Sequence, residues 1–271
     1  MRVSIVMAVY NAERYINECI QSIKEQTFPH FEVVIVNDGS TDRTSEILSS
    51  IDDSRFRIVD NNHDYIASLN KGLNLATGEY IARMDADDIM MPERIERQVA
   101  YMDANPMIDV CASWYEGFGD FTWLGAYGKY IIENPLLELL QQNVICHPTT
   151  MLKKSFLCRH NIFYKRYDYA EDYKMWVDVA CAGGVFYVIP EVLLRYRCST
   201  HQVSNIYSKR QRETAITVKN EILCQLLNDE ECRANSEIRD IYMHLEKLNR
   251  LKLLSAEDVR SIIRTIYQKL N

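Results

Sequence analysis

Residues 78–88 read Gly-Glu-Tyr-Ile-Ala-Arg-Met-Asp-Ala-Asp-Asp. A short apolar strand, Tyr80–Asp85, runs directly into a group of carboxylates. Three equivalent joints precede it. Arg2–Val9 is β-branched and apolar and meets Tyr10-Asn11; Phe31–Asn37 (FEVVIVN) meets Asp38-Gly39; Arg57–Asp60 is a shorter third strand. Between these strands the apolar spacing turns helical. Ile16, Ile20 and Ile23 mark a helix over Ala12–Gln26, Thr41–Ser50 reads as a second, and Leu69, Leu73 and Ala76 share one face of Ile66–Ala76. Pro92 suits the first turn of a helix running to Asn105. Strands separated by helices of this length imply parallel crossovers and an open twisted α/β sheet. Ligands of such sheets bind outside the carboxyl ends of the strands, where the polar residues of this chain fall.

Beyond residue 105 the pattern is less regular. The aromatic and glycine-rich run WYEGFGDFTWLGAYGKY (114–130) suggests twisted strands and loops over an acceptor cleft. Leu136–Gln142 and Glu171–Ala182 read as helices, the latter ended by Gly183-Gly184. Val185–Ile189 and Val192–Arg197 follow as two strands, and Ser208 onward reads as helical. The expected division is one α/β domain over 1–205, with a regular half near 1–105 and a less regular half near 106–205. A helical extension covers 206–271.

The chain has 271 residues, 47% hydrophobic and 25% charged, with a formal charge of −7. That acidity argues against a general nucleic-acid partner, which needs a basic footprint. Residues 206–271 carry +2, which leaves −9 on the part where the chemistry is expected. No run approaches the roughly 18 apolar residues of a membrane span. The N-terminal apolar run passes into Asn11, Glu13 and Arg14 rather than a cleavage site, so a cytoplasmic location is expected. Eight cysteines form no C-x-x-C pair and are expected to be reduced thiols, those at Val110-Cys111-Ala112 and Ala180-Cys181-Ala182 as small buried hydrophobes.

Asp85-Ala86-Asp87-Asp88 carries the strongest chemical signal. Alternation along a strand puts Asp85 and Asp87 on one side. A hard cation, Mn²⁺ or Mg²⁺, would relieve their repulsion and bridge the phosphates of a nucleotide sugar. Asp88 reads equally as a cap for the following helix. In Asn37-Asp38-Gly39-Ser40-Thr41-Asp42, Asp38 can accept a hydrogen bond from a base or ribose, while Ser40 or Thr41 also fits an N-cap. Glu171-Asp172 opens a helix, whose dipole favours an ionised carboxylate able to deprotonate an acceptor hydroxyl; a plain cap is the alternative. His147 and Trp176 are candidates for acceptor contact. His201 follows Arg195-Tyr196-Arg197, which can meet a diphosphate.

Together these residues resemble the bacterial family 2 inverting glycosyltransferases of the GT-A fold. The matching stretches are Val3–Asn11, Val36–Asp42, Gly78–Asp88 and Ala170–Tyr173, within a resemblance covering residues 1–212. The segment 170–212, with AEDYKMW and QVSNIYSKRQ, is similar to lipooligosaccharide β-1,3-N-acetylglucosaminyltransferases; O-antigen galactosyl- and glucosyltransferases share much of it. The resemblance implies that Val9 and Asn11 line a nucleotide pocket, that Asp38 recognises uracil, and that Glu13 adds a ribose or base contact. It implies that Arg83, Asp85 and Ala86 face the nucleotide and diphosphate, and that Asp87 is the main protein ligand of the metal. Asp172 becomes the catalytic base, and Glu171 shapes the sugar site. Such enzymes carry a histidine two residues beyond the Tyr-Arg pair, where this chain has Ser199; His201 is the substitute. The implied partners are a UDP-sugar donor and an oligosaccharide or lipid-linked saccharide acceptor.

A nucleotidyltransferase would begin with a Gly-rich, Arg-containing loop in place of Ala8-Val9-Tyr10-Asn11-Ala12, and no G-x-G-x-x-G supports a dinucleotide enzyme. A non-catalytic carbohydrate-binding protein would not need Asp85, Asp87 and Asp172 together. In the tail, Leu245, Leu248, Leu251, Leu253 and Leu254 interleave with Lys247 and Arg250. They suit packing of an appendage, a homodimer contact, or peripheral attachment to the inner face of the cell membrane.

Overall fold

The computed structural model describes residues 1–128, 130–200, 206–226, 243–245, 247–255, 257–259, 261–262 and 265. Strands β1 (Val3–Val9), β2 (Phe31–Asn37), β3 (Phe56–Asp60) and β4 (Tyr80–Arg83) pair in parallel in the order β3-β2-β1-β4. Helices α1 (Ile16–Lys24), α2 (Thr44–Ser49) and α3 (Tyr65–Leu75) form the crossovers. The chain therefore runs outward from β1 to β3 and restarts on its other side at β4. That reversal opens a crevice at the carboxyl ends of β1 and β4.

The sheet then turns mixed. β5 (Ile89–Met90) and α4 (Arg94–Ala104) precede β6 (Val110–Gly119), β7 (Trp123–Gly125) and β8 (Tyr130–Ile131). After α5 (Pro135–Gln141) and a single 3₁₀ turn (His147–Thr149) come β9 (Met151–Lys153), α6 (Lys154–His160) and α7 (Glu171–Cys181). β10 (Phe186–Cys198) and α8 (Ser208–Leu226) complete the labelled elements. β9 is antiparallel to both β4 and β6, and so joins the two halves into one sheet, continued by β10 parallel to β6 and β5 antiparallel to β10.

Both faces of this sheet are covered, which explains why β1 and β2 are apolar at nearly every position. Ile5, Met7 and Val9 point into one core with Ile16, Ile20 and Ile23 of α1 and Ile95 and Val99 of α4. Val6 and Val34 point the other way, to Leu69 of α3, Trp176 of α7 and Val218 and Ile222 of α8. Leu245 and Val259 are buried in that second core, and Leu254 and Ile262 pack against it, whereas Leu251 and Leu253 are exposed. Among the described residues no helix is long and apolar enough to cross a membrane.

Several expected boundaries move for local reasons. α1 starts at Ile16 because Asn11 has φ 47° and the Ala12 N–H is taken by the Thr44 hydroxyl (2.8 Å). α2 starts at Thr44, whose N–H is held by the Asp42 carboxylate (2.9 Å), so neither Ser40 nor Thr41 is its cap. The two strands expected over 185–197 are one, with one register shift between Ile189 and Val192, where Pro190 offers no N–H to the ladder, and a second between Val192 and Leu194. Cys19, Cys111, Cys146, Cys158, Cys181 and Cys198 are free thiols, and Cys181 is exposed rather than buried. The Cys224 side chain and Cys232 lie outside the described residues.

Gly78 marks the tightest joint between β1 and β4. A Cβ there would stand 2.6 Å from the Ser4 nitrogen and 2.7 Å from the Val3 carbonyl carbon, both backbone atoms that cannot swing aside. Gly78→Ala is expected to cost about 2 kcal/mol of overpacking and to lower Tm by about 6 °C. Thermal denaturation followed by circular dichroism checks it; an unchanged Tm would mean that β1 and β4 are not held at this separation.

Candidate active site

At the ends of β1 and β2 the side chains largely bond to one another. Asp38 is 2% exposed, and its Oδ1 accepts from the Ser68 hydroxyl (2.7 Å) and the Asp64 N–H (2.8 Å). Its Oδ2 faces His63 Nδ1 at 3.8 Å, and the His63 ring leans on the exposed Tyr10 ring with centroids 4.2 Å apart. Asn11 is exposed, and its Oδ1 accepts from the Thr41 N–H at 2.8 Å. Glu13 accepts from the Arg43 N–H at 2.9 Å, which makes it a brace for the start of α2. The Val9 side chain is 1% exposed and packed in the core, so only its backbone borders the crevice, and its carbonyl accepts from the Asp38 N–H.

β4 ends at Arg83 rather than Asp85, so the aspartates occupy a turn into β5 and strand alternation does not align them. Arg83 is 4% exposed, donates to the Tyr65 hydroxyl (2.9 Å) and forms an ion pair with Asp85. The Arg83 carbonyl accepts in turn from Arg94 Nη2 at 2.9 Å. Arg94 is fully buried inside α4, and burial lowers its pKa to about 10. Asp88 caps no helix: its Oδ1 accepts from the Arg197 N–H (2.8 Å), while its buried Oδ2 has no hydrogen-bond partner among the described residues. Burial, then the charges of Asp85 and Asp87, push Asp88 well above the carboxylate range. Asp87 is raised to about 6 by burial and by Asp85, and its carbonyl accepts from Arg197 Nε (2.7 Å). Ala86 sits partly buried beside them, and Arg197 also reaches Glu18 of α1 (2.5 Å). Of the basic pair flanking Tyr196, Arg197 thus converges on the aspartate turn, while Arg195 lies near Glu116 and over the Phe118 ring.

Glu171 and Asp172 form the first turn of α7. Asp172 Oδ1 accepts from the Tyr173 N–H (2.7 Å) and Oδ2 from Asn143 Nδ2 (2.9 Å). Burial raises both carboxyl groups. The charge of Asp172 raises Glu171 further, to about 8, whereas the two hydrogen bonds and Arg83 pull Asp172 back down. Asp172 keeps a net upward shift from burial, but it is the member of the pair whose ionised form is held by two hydrogen bonds and by Arg83. The charges of Arg83 and Asp85 act on Glu171 and Asp172 as they do on Asp87 and Asp88, which ties residues 83–88 to residues 171–172.

Two expected acceptor contacts lie inside the protein. Trp176 is fully buried and packs its ring 5.9 Å from that of His147, so it has no surface to offer a sugar. His147 is 8% exposed, 2.6 Å from the Tyr164 hydroxyl, and burial and Arg83 keep it neutral. His201 lies outside the described residues. Asn143, Tyr65, Tyr164, Arg94 and His63 join the site without a sequence signal, because each owes its place to tertiary contacts rather than to a motif. Among the described residues no three His, Cys, Asp or Glu side chains form a closed metal-binding set.

The family model described as glycosyl transferase family 2 matches residues 4–172. An uncharacterized glycosyltransferase of Haemophilus influenzae is 37% identical over 99% of this chain and 86% of its own length. The amylovoran biosynthesis glycosyltransferase AmsE of Erwinia amylovora is 27% identical over 74% of this chain and 78% of its own. Among solved structures, S. aureus TarS 1–349 in complex with UDP-GlcNAc superposes with a TM-score of 0.69 at 22% identity, over 97% of this chain and 76% of that one. The chain spans 43% of the longer TarS chain. Mannosyltransferase PcManGT from Pyrobaculum calidifontis, in complex with GDP-Man and Mn²⁺, superposes with a TM-score of 0.58 at 17% identity, over 99% of this chain and 84% of that one. At those identities the structural likeness speaks for the fold. The sequence matches speak for more: this chain belongs to glycosyl transferase family 2, and is a glycosyltransferase on the α/β GT-A fold.

Proposed function

We propose that this enzyme transfers a sugar from a UDP-linked donor to a hydroxyl of a saccharide acceptor, with inversion at the anomeric carbon. The preferred reading is GlcNAc in β-1,3 linkage, in the assembly of a bacterial lipooligosaccharide, O-antigen or capsule. The observation that carries it is the charge shared around buried Arg83, which pairs with Asp85 and acts on Asp87, Glu171 and Asp172 alike. The UDP-GlcNAc complex of TarS supports the donor, and the name of AmsE, an amylovoran biosynthesis glycosyltransferase, supports a biosynthetic role.

In this reading the nucleotide lies across the ends of β1 and β2, against the Tyr10–His63 rings and beside Asp38. Asp87, with Asp85, would hold a divalent cation. The fit is chemical: their oxygens are hard ligands, the buried Asp88 Oδ2 beside them is unpartnered among the described residues, and an open set leaves positions for phosphate and water. When bound, Mn²⁺ or Mg²⁺ offsets the charge that develops on the departing diphosphate. Arg83 and Arg197 add fixed positive charge at the same turn. Asp172 takes the proton from the acceptor hydroxyl, whose oxygen bonds to the anomeric carbon as the bond to the UDP oxygen breaks on the opposite face. Glu171 stays protonated near neutral pH, and so can donate a hydrogen bond to a sugar oxygen without adding a second negative charge.

Asp172→Asn is expected to lower transfer by about 10³-fold while UDP affinity, measured by calorimetry, stays close to wild type. Wild-type turnover in that variant would remove Asp172 from the role of base. The raised pKa of Glu171 has a consequence for stability. Its folded value of about 8 lies above the ordinary 4.5, so the stability it contributes at low pH is lost as pH rises toward 8. Glu171→Gln should therefore stabilise the chelator-treated protein increasingly from pH 5 to pH 8.5, as read by Tm. A difference that stays constant across that range would contradict the buried setting of Glu171.

A further inference from the structure

We propose that Asn143 is the positioning residue of the base, holding the Asp172 carboxylate in one orientation toward the acceptor. The inference rests on the reading of Asp172 as base and goes beyond it by assigning what aims that base. Asn143 follows α5, and its amide is held at both ends. Its Oδ1 accepts the backbone N–H of Ile145 (3.3 Å), which turns the NH₂ group toward Asp172 Oδ2 (2.9 Å). An aspartate at this position would accept the Ile145 N–H but have nothing to donate.

The other carboxylate oxygen of Asp172 is fixed by the Tyr173 N–H of its own helix. With one donor on each oxygen, the plane of the carboxylate is set by two elements far apart in the chain. Each oxygen keeps a lone pair for the acceptor proton. Both bonds favour the ionised group. The other groups facing Asp172 are Glu171 from its own helix, Arg83 and Asp85 from the end of β4 and its turn, Tyr164 from the loop before α7, and Cys146 from the segment after Asn143. Arg83 favours ionisation of Asp172, while burial and Asp85 oppose it. Asn143 thus contributes a neutral donor where a further cation would compete for the aspartate turn.

The test uses the full-length protein with Mn²⁺, and whichever of UDP-GlcNAc, UDP-Gal or UDP-Glc the wild type hydrolyses fastest. Asn143→Ala is expected to lower kcat about tenfold, the scale of one lost hydrogen bond to a charged group. KM for the donor and UDP affinity should stay at wild-type values, which also report a folded site. The acid limb of the kcat–pH profile should move to higher pH. Asn143→Gln, which keeps the amide, should recover part of the loss, and Asn143→Asp should be slower than Asn143→Ala. A wild-type kcat and unmoved acid limb in Asn143→Ala, beside an inactive Asp172→Asn, would overturn the inference and leave the base in place. A fall in UDP affinity matching the fall in kcat would overturn it in favour of a purely structural role. Wild-type hydrolysis by Asp172→Asn would overturn the reading of the base, and this inference with it.

Discussion

A buried guanidinium has to be compensated, and Arg83 is compensated from several sides. Asp85 pairs with it directly, the Tyr65 hydroxyl accepts from it, and its charge acts on Asp87, Asp88, Glu171 and Asp172. Removing any one partner would leave charge stranded at low dielectric, the costly outcome for a buried ion. The arrangement also fixes distances. Arg83 ends a strand whose register against β1 is set over four residue pairs, so the charges it gathers are referenced to the centre of the sheet rather than to a mobile loop.

Around that centre the carboxyl groups divide by environment. Asp172 has two donors and stays the better anion, while Glu171, one residue earlier, is raised to about 8 by burial and by its neighbour. Two acids on one helical turn thus meet different surroundings, which is how a protein separates roles among chemically similar groups. The aspartate turn is organised differently. Arg197 takes the Asp87 carbonyl and gives its N–H to Asp88, so the turn is shaped through backbone and buried contacts while the Asp85 and Asp87 side chains keep part of their surface.

Much of this is legible in the chain because the parallel half obeys local rules. Mostly apolar runs of 4–7 residues, which end at Asn37 in β2 and Arg83 in β4 and pass from Val9 into Tyr10-Asn11 after β1, mark strands and the end at which polar groups gather. What is not legible depends on packing. Trp176 beside an acidic pair reads the same whether its ring lines a cleft or fills a core, and only the approach of His147 and Tyr164 to α7 decides for the core. Val9 falls to the same rule, as an inward residue at a strand end. Arg94 looks like any surface arginine of an amphipathic helix, yet β4 and the Thr150 carbonyl enclose it. Asn143 carries no motif at all.

The family match stops at residue 172, but the hydrophobic interior does not. Lys174 of α7 is bonded to Glu221 of α8 at 2.6 Å, Tyr167 donates to the same carboxylate, and Val218, Ile222, Leu245 and Val259 share a core with Trp176. A recombinant fragment cut at the end of the recognised homology, or a chimera spliced there onto another transferase, would strip that interior open. It would also unmoor the helix carrying Asp172. Engineering of specificity in this scaffold therefore belongs in the loops above the sheet, with the C-terminal third kept as part of the catalytic unit.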